Sequence, residues 1–315
     1  MSKIAFIYPG QGAQKAGMGA DFYENSEIAR YIFDQAGEEL DLDMKELCFE
    51  ENDRLDLTEY TQAAMVTTCL AMTRVAESKG LKADITAGLS LGEYPAIAAA
   101  GGMNDMDAIL LVRKRGILMQ NTVPAGEGAM CAVISMAAEE IEKVIEPIAD
   151  VSVANYNCPG QIVITSKTDA VEEAAAKLKE AGARRTIMLN VSGPFHSQML
   201  VPAGEKLAEE LEHTRFHELR IPYVTNVTAE KVTDIRETPG LLTTQISSPV
   251  RWMQSMERMI ADGVDTFVEI GPGKTLEGFL RKIDRSVKVF HISQWEDVDK
   301  VCTELADSGK MMEEA

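Results

Sequence analysis

Short apolar runs alternate with amphipathic stretches from the first residues onward. Lys3–Tyr8 reads as a buried strand that stops at Pro9-Gly10. Helical periodicity follows over Ser26–Gly37. It returns over Gln62–Lys79, where Ala63, Val66, Leu70 and Thr73 share one face and Gly80 closes the turn. A second apolar strand, Ile85-Thr86-Ala87, runs into Gly88 and a helix from Leu91, and a further helix spans Asp105–Gln120. Strands alternating with helices predict a parallel sheet with helices on its faces.

Beyond the loop Pro124-Ala125-Gly126-Glu127-Gly128 the pattern changes. Strand Ala129–Ser135, helix Ala138–Ile148, strands Val151–Asn155 and Gln161–Thr165, helix Ala170–Ala181 and strand Arg185–Val191 follow in order. This β-α-β-β-α-β order predicts a small ferredoxin-like unit, an antiparallel sheet with two helices on one face. The expected organisation is an α/β-hydrolase-like large domain from residues 1–126 and 197–315, interrupted by a ferredoxin-like subdomain at 127–196. Strand Val264–Ile270 and the turn Gly271-Pro272-Gly273 belong to the second half of the large domain.

A chain of 315 residues is long enough for two such domains, and its 45% hydrophobic and 26% charged residues are ordinary for a globular protein. Net charge is the outlier. At −19 it argues against a nucleic-acid binder, or an anionic-membrane binder, that works by overall attraction. Five dispersed cysteines with no CxxC pair suggest neither a zinc site nor a disulfide framework, and fit a reducing cytoplasm. No apolar run approaches the ~20 residues of a membrane span.

Gly88-Leu89-Ser90-Leu91-Gly92 matches GxSxG between a strand and a helix. A strained turn there exposes a serine hydroxyl above the sheet edge, with free N–H groups close by for an oxyanion. The alternative is a tight turn with a capping serine. A serine nucleophile needs a base, and the chain has four histidines. His213 and His217 lie among charged residues near a helix end, and His291 alternates with Val289 in a strand. His196 stands in Gly193-Pro194-Phe195-His196-Ser197, a loop between strand and helix, and is either the base or a structural histidine. Gly10-Gln11-Gly12-Ala13-Gln14 is not a dinucleotide fingerprint, because Lys15 stands where glycine is needed. Gly273-Lys274-Thr275 imitates a phosphate loop but has Val268 in place of its first glycine. Arg115 falls in line with Ala108, Leu111, Val112 and Met119 on an apolar helix stripe, so its guanidinium needs either an internal carboxylate or an anionic ligand.

Taken together the motifs resemble the malonyl-CoA:acyl-carrier-protein transacylase family over nearly the whole chain. They run in order from Pro9–Gln14 and Gly88–Tyr94 through Arg115-Gly116 with Met119-Gln120, Asn155–Gln161 and Gly193–Ser197. Gln245 with Pro249-Val250-Arg251-Trp252 and then Glu269–Gly273 complete the set. The resemblance implies ping-pong transfer of malonyl from CoA to a phosphopantetheine thiol through an ester on Ser90. His196 would be the base, and backbone N–H groups of Gln11 and Leu91 the oxyanion hole. The main-chain carbonyl of Gln245 would orient the histidine. Arg115, Phe195 and Asn157 would bind substrate, Arg115 by a two-pronged grip on the malonyl carboxylate and Phe195 by disfavouring a methylmalonyl group. No metal or cofactor is implied. The expected partners are an acyl carrier protein and a CoA thioester, with no nucleic acid or membrane, for a protein acting as a monomer.

Leu89 departs from the histidine usual before the family's serine. Alternative functions are a stand-alone acyltransferase or acyl hydrolase serving a polyketide synthase, or a non-catalytic carrier-binding subunit. Arg115 argues against the hydrolase, and the presence of both Ser90 and His196 argues against the binding subunit. Both implied substrates are anionic, so local basic clusters must offset the overall charge. The candidates are Arg113-Lys114, Arg184-Arg185 and the stretch from Lys274 to Lys288 with Arg281, Lys282 and Arg285.

Overall fold

The computed structural model describes residues 3–191 and 193–307. Strand β1 (Lys3–Tyr8) leads to helices α1 (Ala20–Asn25), α2 (Glu27–Leu40), α3 (Met44–Phe49) and the long α4 (Thr58–Ser78). Next come β2 (Ile85–Gly88), a 3₁₀ turn at Ser90–Gly92, α5 (Glu93–Ala99) and α6 (Asp105–Thr122). A second unit follows as β3 (Gly128–Ile134), α7 (Ala138–Ile145), β4 (Ser152–Cys158), β5 (Gln161–Lys167), α8 (Thr168–Glu180) and β6 (Arg185–Met188). The chain returns through α9 (Val201–His213), β7 (Tyr223–Val224), β8 (Lys231–Val232), α10 (Thr238–Gln245) and α11 (Trp252–Ala261). It ends in β9 (Val264–Ile270), α12 (Thr275–Ile283), β10 (Lys288–Ile292) and α13 (Trp295–Asp307).

The large sheet has the order β10-β9-β1-β2-β7-β8, parallel throughout except for the β7–β8 pair. Alternation along β1 explains why both faces are covered. Ile4, Phe6 and Tyr8 enter one core with much of α4, whereas Ala5 and Ile7 enter the other with Trp252, Met256 and Phe267. Helix α4 packs against both α2 and α6 as well as the sheet, so it is buried almost all round rather than on the single predicted face.

The small sheet is antiparallel, in the order β4-β5-β3-β6, with its own core around Val133, Ile141, Ile164 and Val171. Backbone bonds stitch it to the segment after α10: Val250 N–H donates to Ala154 O (2.8 Å) and Tyr156 N–H to Val250 O (2.9 Å). These bonds set β4 beside the end of the large sheet.

Several boundaries differ from the expected ones; α4, for example, begins at Thr58 rather than Gln62, and β4 runs on to Cys158 rather than stopping at Asn155. The helix predicted to close at Gly37 runs on to Leu40, because the left-handed residue that ends it is Asp41 (φ 51°). The helix predicted from Leu91 starts at Glu93, after the 3₁₀ turn that the backbone at Ser90 imposes. The helix predicted to reach Ile148 ends at Ile145, where Ile148 N–H tightens back onto the Ile145 carbonyl. The strand predicted to reach Val191 ends at Met188, and Leu189 and Val191 turn instead toward the cavity described below. At the C-terminal edge of the large sheet Glu269, the penultimate residue of β9, is fully buried and accepts the N–H groups of Leu276 and Glu277 (3.0 and 2.8 Å), capping α12 from beneath. No helix among the described residues is long and apolar enough to cross a membrane.

Candidate active site

The turn after β2 is possible only with glycine at both ends. A Cβ on Gly88 would lie 1.8 Å from the Gly92 carbonyl oxygen, and one on Gly92 would lie 2.4 Å from that of Tyr8. Between them Ser90 holds φ 55°, a left-handed conformation that costs a non-glycine residue about 1–2 kcal/mol. Asn226, just past β7, offsets that strain. Its Oδ1 accepts the Ser90 N–H (2.7 Å), and its Nδ2 donates to the Gly88 carbonyl (2.6 Å).

His196 arrives from the loop after β6, also left-handed (φ 58°) and only 4% exposed. Its Nε2 lies 2.7 Å from Ser90 Oγ and its Nδ1 lies 2.9 Å from the main-chain carbonyl of Gln245, at the end of α10. A carbonyl only accepts, so Nδ1 carries the hydrogen and Nε2 presents its lone pair to the serine hydroxyl. Burial, reinforced by the nearby Arg115 charge, pulls the imidazole down to about 4, so it is neutral at pH 7.

Arg115 projects from α6 and is 0% exposed. Nη1 donates to Gln62 Oε1 (2.8 Å), while Nη2 donates to Gln245 Oε1 (3.0 Å) and to Ser90 Oγ (3.1 Å). No carboxylate among the described residues pairs with it directly, and its Nε makes no hydrogen bond. Of the two readings open for a buried arginine, the geometry departs from a direct internal ion pair. Glu93, at the start of α5, accepts from the Asn226 N–H (3.0 Å) and from Gln245 Nε2 (2.7 Å), and burial pushes its carboxyl up to about 7.

A cavity of about 210 Å³ opens over Ser90 and His196, bounded also by Gln11, Asn157, Phe195 and Phe279 among others. It lies where β4 of the small sheet meets the large one. Asn157 is 7% exposed and its Oδ1 has no hydrogen-bond partner. Leu91 is fully buried directly behind the serine, and Leu89 lines the cavity against the Gly10 loop. The structure therefore brings Gln11, Ser90, Leu91, Arg115, Asn157, Phe195, His196 and Gln245 to one place. His291 lies apart, beside Glu277 (3.3 Å). Arg113 pairs with Glu59 (2.9 Å) and stacks on Tyr60, and Lys114 pairs with Glu210, so that basic pair is consumed internally.

Sequence reasoning missed Gln62, Asn226 and Glu93. Gln62 sits one residue before the apolar face assigned to α4, and its Nε2 donates to Met119 Sδ of α6 (3.4 Å) while its Oε1 accepts from Arg115. Asn226 follows a two-residue strand too short to leave a pattern. Glu93 stood in the quoted Gly88–Tyr94 run, but a glutamate in a first helical turn ordinarily faces water.

A serine hydrogen-bonded to a neutral histidine, on a glycine-bounded turn at the end of a parallel strand, is the arrangement of an acyl-transferring site. The chain belongs to the acyl transferase domain family, whose sequence profile matches residues 5–298. Within it, the similarity is to malonyl-CoA–acyl carrier protein transacylases. The Bacillus subtilis (strain 168) protein of that name is 44% identical over 304 residues, covering 95% of this chain and 96% of its own. The crystal structure of the Clostridium perfringens transacylase superposes with TM-score 0.94 at 42% identity, covering 98% of each chain. A malonyl-transacylase solved in complex with its type II polyketide acyl carrier protein superposes with TM-score 0.93 at 35% identity, covering 96% of this chain and all of that one.

Proposed function

We propose that the protein transfers the malonyl group of malonyl-CoA to the phosphopantetheine thiol of an acyl carrier protein, supplying fatty acid synthesis. The observation that carries this reading is the Arg115 guanidinium. It is buried, lacks a direct carboxylate partner, and stands 3.1 Å from the hydroxyl at which the acyl group would be attached. A positive charge so placed suits a short acyl group whose far end is a carboxylate, gripped by two parallel hydrogen bonds. An uncharged acyl chain would leave the guanidinium without a direct anionic partner.

In the first half-reaction His196 Nε2 takes the Ser90 proton as Oγ attacks the thioester carbonyl. The Gln245 carbonyl holds the imidazole through Nδ1–H, and the main-chain N–H groups of Gln11 and Leu91 receive the oxyanion. The C–S bond breaks, and the departing CoA sulfur takes the proton from His196. In the second half the carrier's thiol gives its proton to His196, attacks the Ser90 ester, and Ser90 recovers its hydrogen. Phe195 crowds the α-carbon of the acyl group, and the free Asn157 Oδ1 is available to a substrate N–H. The chemistry is assigned to these side chains and backbone groups, with no cofactor.

The carrier approaches along two basic segments continuous with the cavity wall. Helix α12 contributes Leu276 and Phe279 to the wall and carries Arg281 and Lys282 in its last turn. Arg184 and Arg185 stand at the head of β6, whose continuation lines the same cavity at Leu189 and Val191. We place the protein in the cytoplasm as a monomer, consistent with its five unpaired cysteines. Intact mass after incubation with malonyl-CoA tests the reading. Wild type should gain one malonyl group and Ser90→Ala none, and an unmodified wild-type spectrum from folded protein would remove it.

A further inference from the structure

Two opposite charges lie fully buried beneath Ser90 without touching. Arg115 and Glu93 are both 0% exposed, and the side-chain amide of Gln245 stands between them. Arg115 Nη2 donates to its oxygen (3.0 Å) and its nitrogen donates to Glu93 Oε2 (2.7 Å). The two charges are therefore balanced through a polarised amide. The same residue supplies the carbonyl that orients His196, so the relay and the base share one support.

A malonyl carboxylate seated on Arg115 upsets this balance. Nε is the guanidinium group with no partner, and Nη2 is shared with Ser90 Oγ, so a two-pronged grip falls on that edge. The guanidinium then has its own anion, and Glu93 becomes a second buried negative charge. An uncompensated buried charge costs several kcal/mol, and the group relieves it by neutralising. Glu93 has a place for a proton, because Oε2 accepts both hydrogen bonds and Oε1 accepts none.

We propose that Glu93 is the internal counter-charge of Arg115, and that it takes a proton from solvent when the malonyl carboxylate seats on that guanidinium. The closed site then holds one buried anion opposite one buried cation. The proposal rests on the reading of Arg115 as the carboxylate grip. The groups facing Glu93 are Arg115 from α6, its neighbour Tyr94 on α5, Tyr223 from β7 and the Thr225 side chain. Burial holds both phenols far above their ordinary range, so neither donates or takes a proton near pH 7. His196 is held neutral by its own burial and by Arg115, so it stays available as the base. The Glu93 carboxyl, already pushed up to about 7 by burial, is the group in this cluster poised to change charge. Glu93 acts through Arg115 and Gln245 and is thus a positioning residue.

The test is isothermal titration of malonyl-CoA into Ser90→Ala, which cannot be acylated, at pH 8 in two buffers of different ionisation enthalpy. Acetyl-CoA serves as the control for the CoA moiety. Malonyl-CoA should take up close to one proton more than acetyl-CoA, and its Kd should rise about tenfold per pH unit above pH 7.5. Adding Glu93→Gln should abolish the extra uptake and flatten that slope. Should the glutamine variant fail to fold, difference infrared spectroscopy of Ser90→Ala should gain a protonated-carboxyl band with malonyl-CoA only. Extra uptake that survives Glu93→Gln, or a missing band, overturns the proposal. So does malonyl-CoA binding that depends on Arg115 yet takes up no extra proton, and in that case the grip reading stands. Malonyl-CoA affinity unchanged by Arg115→Gln removes both.

Discussion

The neutral His196 makes the acid limb of the reaction the sharpest quantitative test of the site. Acylation needs an imidazole that can accept the Ser90 proton, so the rate follows the unprotonated fraction. With the imidazole at about 4, roughly nine-tenths is unprotonated at pH 5, whereas an ordinary histidine near 6.5 would be about 3% unprotonated. The two cases differ about 30-fold in rate at that pH. Rapid-quench acylation of Ser90 by malonyl-CoA under kcat/KM conditions, followed by intact mass from pH 4 to 8, separates them, because that parameter reports the free enzyme. The limb should fall near 4. In Arg115→Gln, followed with acetyl-CoA so that loss of the carboxylate grip does not intrude, it should move upward but stay below 6.5, since burial is the larger cause and the Arg115 charge the smaller. A wild-type limb at 6.5 would refute the buried, neutral base, and an unmoved limb in Arg115→Gln would refute the electrostatic coupling.

Arg115→Lys replaces a planar fork by a point charge, so malonyl kcat/KM should fall roughly ten- to a hundredfold beyond any fall for acetyl-CoA; equal losses would assign the arginine to structure. Asn226→Ala strips two buried hydrogen bonds from the nucleophile turn and should cost about 2–5 kcal/mol in chemical denaturation, whereas a cost under about 1 kcal/mol would mean that Ser90 keeps its backbone conformation unaided. Burial raises Glu269 to about 7, so the folded state holds its proton more tightly than the unfolded chain. Its stabilisation is complete below about 4.5 and is lost as pH rises through 7, by on the order of 3 kcal/mol. Glu269→Gln should therefore give a flatter stability–pH curve over that window, and parallel curves would contradict the assignment. Arg281→Glu with Lys282→Glu should raise the carrier protein's KM severalfold while leaving acylation by malonyl-CoA unchanged, and an unaltered KM would move the docking face elsewhere.

Much of this architecture was legible because it is written in periodicity. The continuous apolar run of β1 appears where expected, and β9 keeps its predicted ends at Val264 and Ile270 although Asp265, Thr266 and Glu269 interrupt its apolar residues. The ferredoxin-like strand order was readable for the same reason, since each element is long enough to show its period. What failed was short or set by the backbone. β7 and β8 have two residues each and carry no pattern. The delayed start of α5 follows from the left-handed Ser90, which hydrophobicity does not register.

Within the site the division falls between reacting side chains and the groups that hold them. Ser90 and Arg115 could be singled out locally, one by its flanking glycines and the other by standing on an apolar stripe. Their supports could not, because each is defined by a neighbour far away in sequence: Asn226 by Ser90, Gln245 by His196, Glu93 by Gln245. These contacts join α5, α10, the loop after β6 and the segment after β7, so Asn226 and Glu93 become identifiable only when the chain is folded, whereas Gln245 is reached through the family motifs. That division also explains how Leu89 can replace histidine before the nucleophile. His196, the proposed base, comes from its own loop and hydrogen-bonds the Gln245 carbonyl, so neither its position nor its tautomer depends on residue 89. What residue 89 touches is the cavity wall and the Gly10 loop, and its identity should therefore weigh on which acyl group fits rather than on whether Ser90 is activated.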